Sequence, residues 1–340
     1  MRPLGIPTLK DRAMQALYHM ALDPVAETTA DTHSYGFRKE RSTKDAKEMC
    51  FTVLARKIAP QWVLEGDIKG CFDHISHEWL LNHIPMDKVI LRKWLKSGYV
   101  FHNKLYPTYE GTPQGGIISP TLANMVLNGM QTMLSERFKV RMGKNYYNPK
   151  INLVRYADDF IVTASDKETL KEIKPMIERF LEERGLRLSE EKTVITHIND
   201  GFDFLGWNFR KFKGKLIIKP SHKSMKKITR KISEIIKENQ TATQEILIKK
   251  INEVTVGWAN YHHSSCAKKC FHTLDHRIWE MLWRWSKRRH PNKNKHWIVN
   301  KYWKEHKGRK WTFMSDKNIL FLMMDMPIVR KGQISLNKNP

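Results

Sequence analysis

Two β-rich runs stand only three residues apart, and that spacing limits the fold more than any other feature. Ile151-Asn152-Leu153-Val154-Arg155-Tyr156 and Phe160-Ile161-Val162-Thr163-Ala164 are separated by Ala157-Asp158-Asp159. Such runs read as the two arms of a hairpin, with adjacent carboxylates at its tip. A third short apolar run, Gln61 to Ile68, reads as a strand and carries Asp67 at its end. Ser165 to Arg184 reads as a helix, opened by Ser165 and Glu168 in capping-box spacing and closed by Gly185. Pro175 inside it is expected to kink or split it. Gly201 to Phe209 reads as a further strand with turn glycines. Strands mixed with helices, rather than alternating strictly with them, predict an α+β domain with a mainly antiparallel sheet.

The carboxylates are the chemically informative part. An unpaired carboxylate beside an apolar strand is costly to bury, and two at neighbouring positions repel. A divalent cation relieves both costs. Mg²⁺ takes hard oxygen ligands, commonly one or two protein carboxylates together with substrate phosphates. Two such ions about 4 Å apart can activate a hydroxyl and stabilise a leaving pyrophosphate. Asp-Asp at a turn is also a common polar turn, so the hairpin alone does not choose between these readings.

Charge divides the chain. Residues 1–206 hold 29 Lys+Arg against 26 Asp+Glu, a net of +3. Residues 207–340 hold 31 against 9, a net of +22, and eight of the eleven tryptophans. Cations interleaved with aromatics suit RNA, which needs charge for phosphates and flat faces for bases. From about residue 220 the pattern turns helical. Ile228, Ile232 and Ile235 recur at helical spacing, and Leu274, Ile278, Leu282 and Trp285 form a second stripe with Arg277, Arg284, Lys287 and Arg288 outside it. The boundary between the halves is expected within 210–222. No apolar run is long enough to span a bilayer, the N-terminus has no signal core, and four cysteines are sparse for a disulfide framework. These features predict a cytoplasmic location. His262, His263, Cys266, Cys270, His272 and His276 lack the second separate ligand pair of a structural zinc site. They read as helix packing.

With these motifs in order, the chain resembles the reverse transcriptases and maturases encoded by group II introns. Arg2-Pro3-Leu4-Gly5-Ile6-Pro7 and Ser34-Tyr35-Gly36-Phe37-Arg38 resemble finger motifs. Asp67-Ile68-Lys69-Gly70-Cys71-Phe72-Asp73, then Gly111 to Pro120 with its Pro113-Gln114-Gly115-Gly116 centre, then Tyr156-Ala157-Asp158-Asp159, resemble three successive palm motifs. Leu186 to Thr193 resembles a fourth, and Phe204-Leu205-Gly206 the primer grip. Gly257-Trp258-Ala259-Asn260-Tyr261 and His306 to Trp311 resemble the maturase region, called domain X or the thumb.

The resemblance implies an RNA-directed DNA polymerase with two Mg²⁺ ions, a right-hand fold and a role in RNA splicing and intron mobility. Fingers (truncated at the N-terminus) and palm would span 1–215, a helical thumb 216–315, and a C-terminal tail 316–340. Asp67, Asp158 and Asp159, with the Ile68 carbonyl, would be the metal ligands. Lys192 would protonate the leaving pyrophosphate. Phe72 would sit under the sugar and exclude a 2′-hydroxyl, which disfavours an RNA-templated RNA polymerase. Arg2 would bind the triphosphate bidentately, Arg38 template or triphosphate, and Gln114 and Gly115 the nucleotide. Phe204, Leu205 and Gly206 would position the primer. Partners would be group II intron RNA, an RNA template, a DNA primer and dNTPs, with no membrane. Related proteins carry a further finger segment before Arg2. Its absence implies a natural truncation, a misplaced start, or completion by a homodimer or another chain, with a non-catalytic RNA-binding maturase or remnant as the alternative.

Overall fold

The computed structural model describes residues 5–112, 115–140 and 148–329. The chain divides into two compact units, one of residues up to 205 with 210–216, the other of 206–209 with residues from 217 onward.

The first unit opens with helices α1 (Leu9–Thr28) and α2 (Thr43–Leu54), then strand β1 (Trp62–Asp67). Short helices α3 (Cys71–His74), α4 (His77–His83) and α5 (Lys88–Leu95) follow, then a hairpin of β2 (Tyr99–Phe101) and β3 (Lys104–Tyr106). Helices α6 (Ser119–Leu127) and α7 (Met130–Arg137) precede the hairpin β4 (Asn152–Tyr156) and β5 (Asp159–Ala164). Helix α8 (Lys167–Glu182) and strands β6 (Val194–His197) and β7 (Phe202–Phe204) complete it.

Its sheet runs β4-β5-β1-β6, and every pairing is antiparallel. Leu64, Phe160, Val162 and Ala164 of the sheet join Leu122 and Val126 of α6 and Leu170, Ile173 and Ile177 of α8 in one apolar core. Gly66 faces Phe160 across β1 and β5. A Cβ there would lie 2.2 Å from the Phe160 ring. The absence of a side chain at 66 is what lets that ring fold over its neighbour.

Helix α8 differs from expectation at both of its marked positions. Asp166 caps it by accepting from Thr169 N–H, while the Ser165 hydroxyl donates to the Pro149 carbonyl at 2.9 Å. The helix continues as one element through Pro175. Burial of Leu170, Ile173, Ile177, Phe180 and Leu181 on one face outweighs the backbone bond that proline removes, a cost of about 3 kcal/mol. The expected strand at 201–209 is two strands, because Leu205 and Gly206 both take positive φ, 49° and 82°. That pair of left-handed residues makes a tight hairpin turn.

Through β8 (Trp207–Phe212) and β9 (Lys215–Pro220) the chain reaches the second unit. Helices α9 (His222–Glu238), α10 (Gln244–His262), α11 (Lys268–Arg289) and α12 (Lys295–Tyr302) follow, then the hairpin β10 (Trp303–His306) and β11 (Arg309–Phe313). Helix α9 buries Met225, Ile228, Ile232 and Ile236, so the stripe closes on Ile236 rather than Ile235. Leu274, Ile278, Leu282 and Trp285 of α11 are buried as the spacing predicts. Residues 316–329 are not a free tail. Leu320 and Met323 enter the second core, Asn252 bonds both the Ile319 carbonyl and the Phe321 N–H at 2.8 Å, and Asp275 accepts from the N–H groups of Met323 and Met324.

Candidate active site

Asp67, the last residue of β1, and Asp159, the first of β5, are direct partners across the antiparallel ladder. Direct partners point to the same face, with Cβ atoms about 5 Å apart. The β4–β5 ladder holds until Tyr156 meets Asp159, so the turn is only Ala157-Asp158. Asp159 therefore belongs to the strand and not to the tip. Ala157 takes φ +55° to close the turn. The Ile68 N–H donates to the Asp158 carbonyl at 3.3 Å, which ties the turn to the end of β1. Three carboxylates thus share one end of the sheet.

Like charges directly opposite one another destabilise a sheet, and the local electrostatics reflect this. The Asp159 carboxyl is pushed up to about 6, first by loss of surrounding water, then by the charges of Asp158 and Asp67 and a hydrogen bond with Asp67. Its side chain still reaches solvent, so the neighbouring carboxylates are the part of that shift that a cation would reverse. Lys192 already answers part of the charge. The Ser189 N–H donates to the Asp67 carbonyl at 2.8 Å and the Lys69 N–H to the Arg187 carbonyl at 2.9 Å. These bonds lay the Leu186–Thr193 segment beside β1. Lys192 Nζ then reaches Asp67 Oδ2 at 2.9 Å. The hydrogen bond to Asp67, more than the charges around it, raises the lysine above its ordinary value.

A hard-oxygen set of this kind suits a divalent cation. Among the described residues, however, no group of three or more His, Cys, Asp or Glu side chains is arranged to enclose a metal.

The hairpin is held from beneath by residues that sequence reasoning missed. Arg155, fully buried in β4, donates to Asn124 Oδ1 at 3.1 Å and Asn128 Oδ1 at 3.0 Å, with a longer contact of 3.4 Å to the Ala157 carbonyl. Asn124 in turn donates to the Gly36 carbonyl at 2.8 Å. Burial pulls the Arg155 guanidinium down to about 10. The Arg155 N–H donates to the His33 carbonyl and its carbonyl accepts from Tyr35 N–H, both at 2.9 Å, so residues 33–35 edge the sheet beside β4. A Cβ on Gly36 would lie 2.4 Å from Ala157 N. Only a glycine lets this segment touch the turn. The available signals were an arginine inside an apolar strand and an asparagine inside the apolar helix α6.

The remaining predicted residues are placed as follows. Phe72 lies in α3, edge-on to Phe37 with centroids 5.9 Å apart, and its carbonyl accepts from Thr112 N–H at 2.7 Å. The palm motif from Gly111 thus starts beside the motif that holds Asp67. Gly115 follows with φ +111°. Gln114 and Arg2 lie outside the described residues. Arg38 is engaged within the protein: it forms a two-pronged ion pair with Glu27 and donates to the Asp31 and Ser34 carbonyls at 2.9 Å. Phe204 is buried, and Leu205 and Gly206 form the turn already described.

A sequence profile of the reverse transcriptase (RNA-dependent DNA polymerase) family matches residues 1–209, and one of the group II intron maturase-specific domain matches 225–303. The chain belongs to the group II intron reverse transcriptase/maturase family. Protein YkfC of Escherichia coli K12 is 35% identical over 243 residues, covering 61% of this chain and 62% of that one. The group II intron-encoded protein LtrA of Lactococcus lactis subsp. cremoris is 32% identical over 269 residues, covering 62% and 44%. The chain thus matches less than two thirds of the length of either relative. Among solved structures, telomerase from Candida tropicalis is similar at 14% identity and a TM-score of 0.44, over 87% of this chain and 52% of that one. In this chain the first profile covers the carboxylates and their near-neutral surroundings. The second covers α9 to α12, within the strongly basic half. No helix among the described residues is long and apolar enough to cross a membrane.

Proposed function

We propose that this chain is an RNA-directed DNA polymerase of the group II intron type, whose basic second unit binds intron RNA and assists splicing. The observation that carries this reading is the register of β1 against β5, which sets Asp67 opposite Asp159 with Asp158 adjoining. Asp67, Asp158 and Asp159, with the Ile68 carbonyl, would hold Mg²⁺. A bound pair of ions would supply activation of a primer 3′-hydroxyl and charge neutralisation at the leaving pyrophosphate. Lys192 gives a proton to that pyrophosphate. Phe72 underlies the sugar and selects dNTPs, with Gly115 and Gln114 beside it and Arg2 on the phosphates. Phe204, Leu205 and Gly206 hold the primer end. The domain assignment follows: fingers and palm in the first unit, thumb in the second.

A second reading, a non-catalytic RNA-binding maturase, has one observation in its favour: Asp67 is already paired with Lys192. Mg²⁺-dependent dNTP incorporation on a primed RNA template separates the two. The polymerase reading expects incorporation by the wild type and its loss in Asp158→Ala with RNA affinity kept. Tight RNA binding without incorporation by the wild type would leave only the maturase.

A further inference from the structure

The second unit carries a row of tryptophan rings that runs from its core to solvent. Trp279 and Trp283, one helical turn apart on α11, lie with planes 2° from parallel and centroids 5.8 Å apart. Trp311, on β11, extends the row: its ring lies 27° from that of Trp279 at 6.1 Å. Trp303 closes the row from below, 6.0 Å from Trp279 and 5.6 Å from Trp283, and is buried at 3% exposure. At the outer end Trp311 is 55% exposed. It presents a large flat apolar face with a polar N–H to solvent at the end of the row.

Its surroundings narrow the occupant. The hairpin that bears Trp311 also bears Lys304, Lys307, Arg309 and Lys310, against one glutamate, Glu305. Lys304 and Arg309 are paired with Asp316 and Asp325, whereas Lys310 is exposed. Lys287 lies one turn from Trp283 on the same face of α11. A flat ring rimmed by cations complements a base carried on a phosphate backbone. An apolar peptide would leave the cations unanswered, and a duplex keeps its bases stacked on each other.

We propose that Trp311 is a stacking platform for an unpaired base, and that this hairpin is a binding site for single-stranded RNA. A base on Trp311 continues the row Trp283, Trp279, Trp311 by one more ring. The inference rests on the RNA-binding role proposed above and adds the residue that distinguishes unpaired from paired strands.

The test compares wild type, Trp311→Ala, Trp311→Phe and Lys310→Gln by fluorescence anisotropy, at one salt concentration and across a salt series. The probes are an unstructured 12-nucleotide oligo(A) RNA and a blunt RNA hairpin of matched charge whose loop is a non-nucleotide linker. Trp311→Ala is expected to weaken oligo(A) about fivefold or more, leave the hairpin unchanged, and keep the salt slope. Trp311→Phe, which retains a flat face, recovers most of the loss. Lys310→Gln weakens both probes and flattens the slope. Equal binding of oligo(A) by wild type and Trp311→Ala overturns the proposal, as does an equal loss on both probes. Failure of the wild type to bind either RNA would instead sink the RNA-binding role itself. Circular dichroism melts of each variant identify any that fail to fold, and Trp311→Leu, which removes the flat face but keeps apolar bulk, carries the test if Trp311→Ala does not fold.

Discussion

Replacing Arg155 with methionine tests whether the buried network beneath the hairpin positions the carboxylates or merely stabilises the fold. Methionine keeps an unbranched side chain, two heavy atoms shorter, and removes its charge. Two sound hydrogen bonds to Asn124 and Asn128 disappear. Bonds to a charged group are worth about 1.5–3 kcal/mol each, so the loss is about 3–6 kcal/mol. Against this, the guanidinium no longer has to be held charged in the interior. Burial pulls it well down, to about 10, which corresponds to about 3 kcal/mol, and its Nε finds no acceptor among the described residues. The net destabilisation is therefore modest, about 0–3 kcal/mol. Catalysis is more exposed to the change. Arg155 also contacts the Ala157 carbonyl, and through Asn124 it holds the Gly36 segment against the turn. A shift of about 1 Å in Asp158 or Asp159 costs about 100-fold in rate. Single-turnover dNTP incorporation on a primed RNA template is expected to fall about 100-fold in Arg155→Met. Urea unfolding should register the small change in stability. Asn124→Ala should produce a similar defect, and the double variant should be no worse than about one of the singles, since both act through one network. An Arg155→Met protein with the wild-type rate and lowered stability would refute the positioning argument.

Gly36→Ala places a Cβ 2.4 Å from Ala157 N, which is backbone and cannot turn aside; we expect about 1–3 kcal/mol of destabilisation in urea together with loss of incorporation. Asp275 is buried, and loss of water pushes its carboxyl up from the ordinary aspartate range to about 6. Its folded form binds the proton more readily, so the second unit should gain stability as pH falls from about 6 to about 4, by at most about 3 kcal/mol. Comparing wild type with Asp275→Asn over that range isolates the effect, and parallel pH profiles would contradict it. RNA affinity should fall steeply with salt, with a log–log slope of roughly −0.7 for each phosphate neutralised on a single strand. A flat response would remove the basic half as the RNA surface.

Local patterns in the sequence were enough for the elements that carry the site. The two β-rich runs in 151–164 marked the β4–β5 hairpin, and the start and stop signals at 165–168 and Gly185 marked α8, because strand propensity and helix-end chemistry are written in neighbouring residues. The charge contrast between the halves needed no structure either, since it is a property of composition. What the sequence determined by itself was therefore the inventory: a sheet-and-helix part with three suspicious carboxylates, and a helical basic part rich in tryptophan.

Pairings between distant positions belong to tertiary structure. Asp67 meets Asp159 only because β1 and β5 align in one register, and a slip of one residue would turn one carboxylate to the opposite face. Lys192 reaches Asp67 across 125 residues, and Arg155 reaches Asn124 across 31. Arg38 shows the same limit from the other side. Its motif suggested a substrate contact, yet its guanidinium is engaged by Glu27 and two backbone carbonyls. A residue's type and spacing state what chemistry it can perform. Which partner it performs it on depends on the non-local contacts that packing selects, and those have no period in the chain.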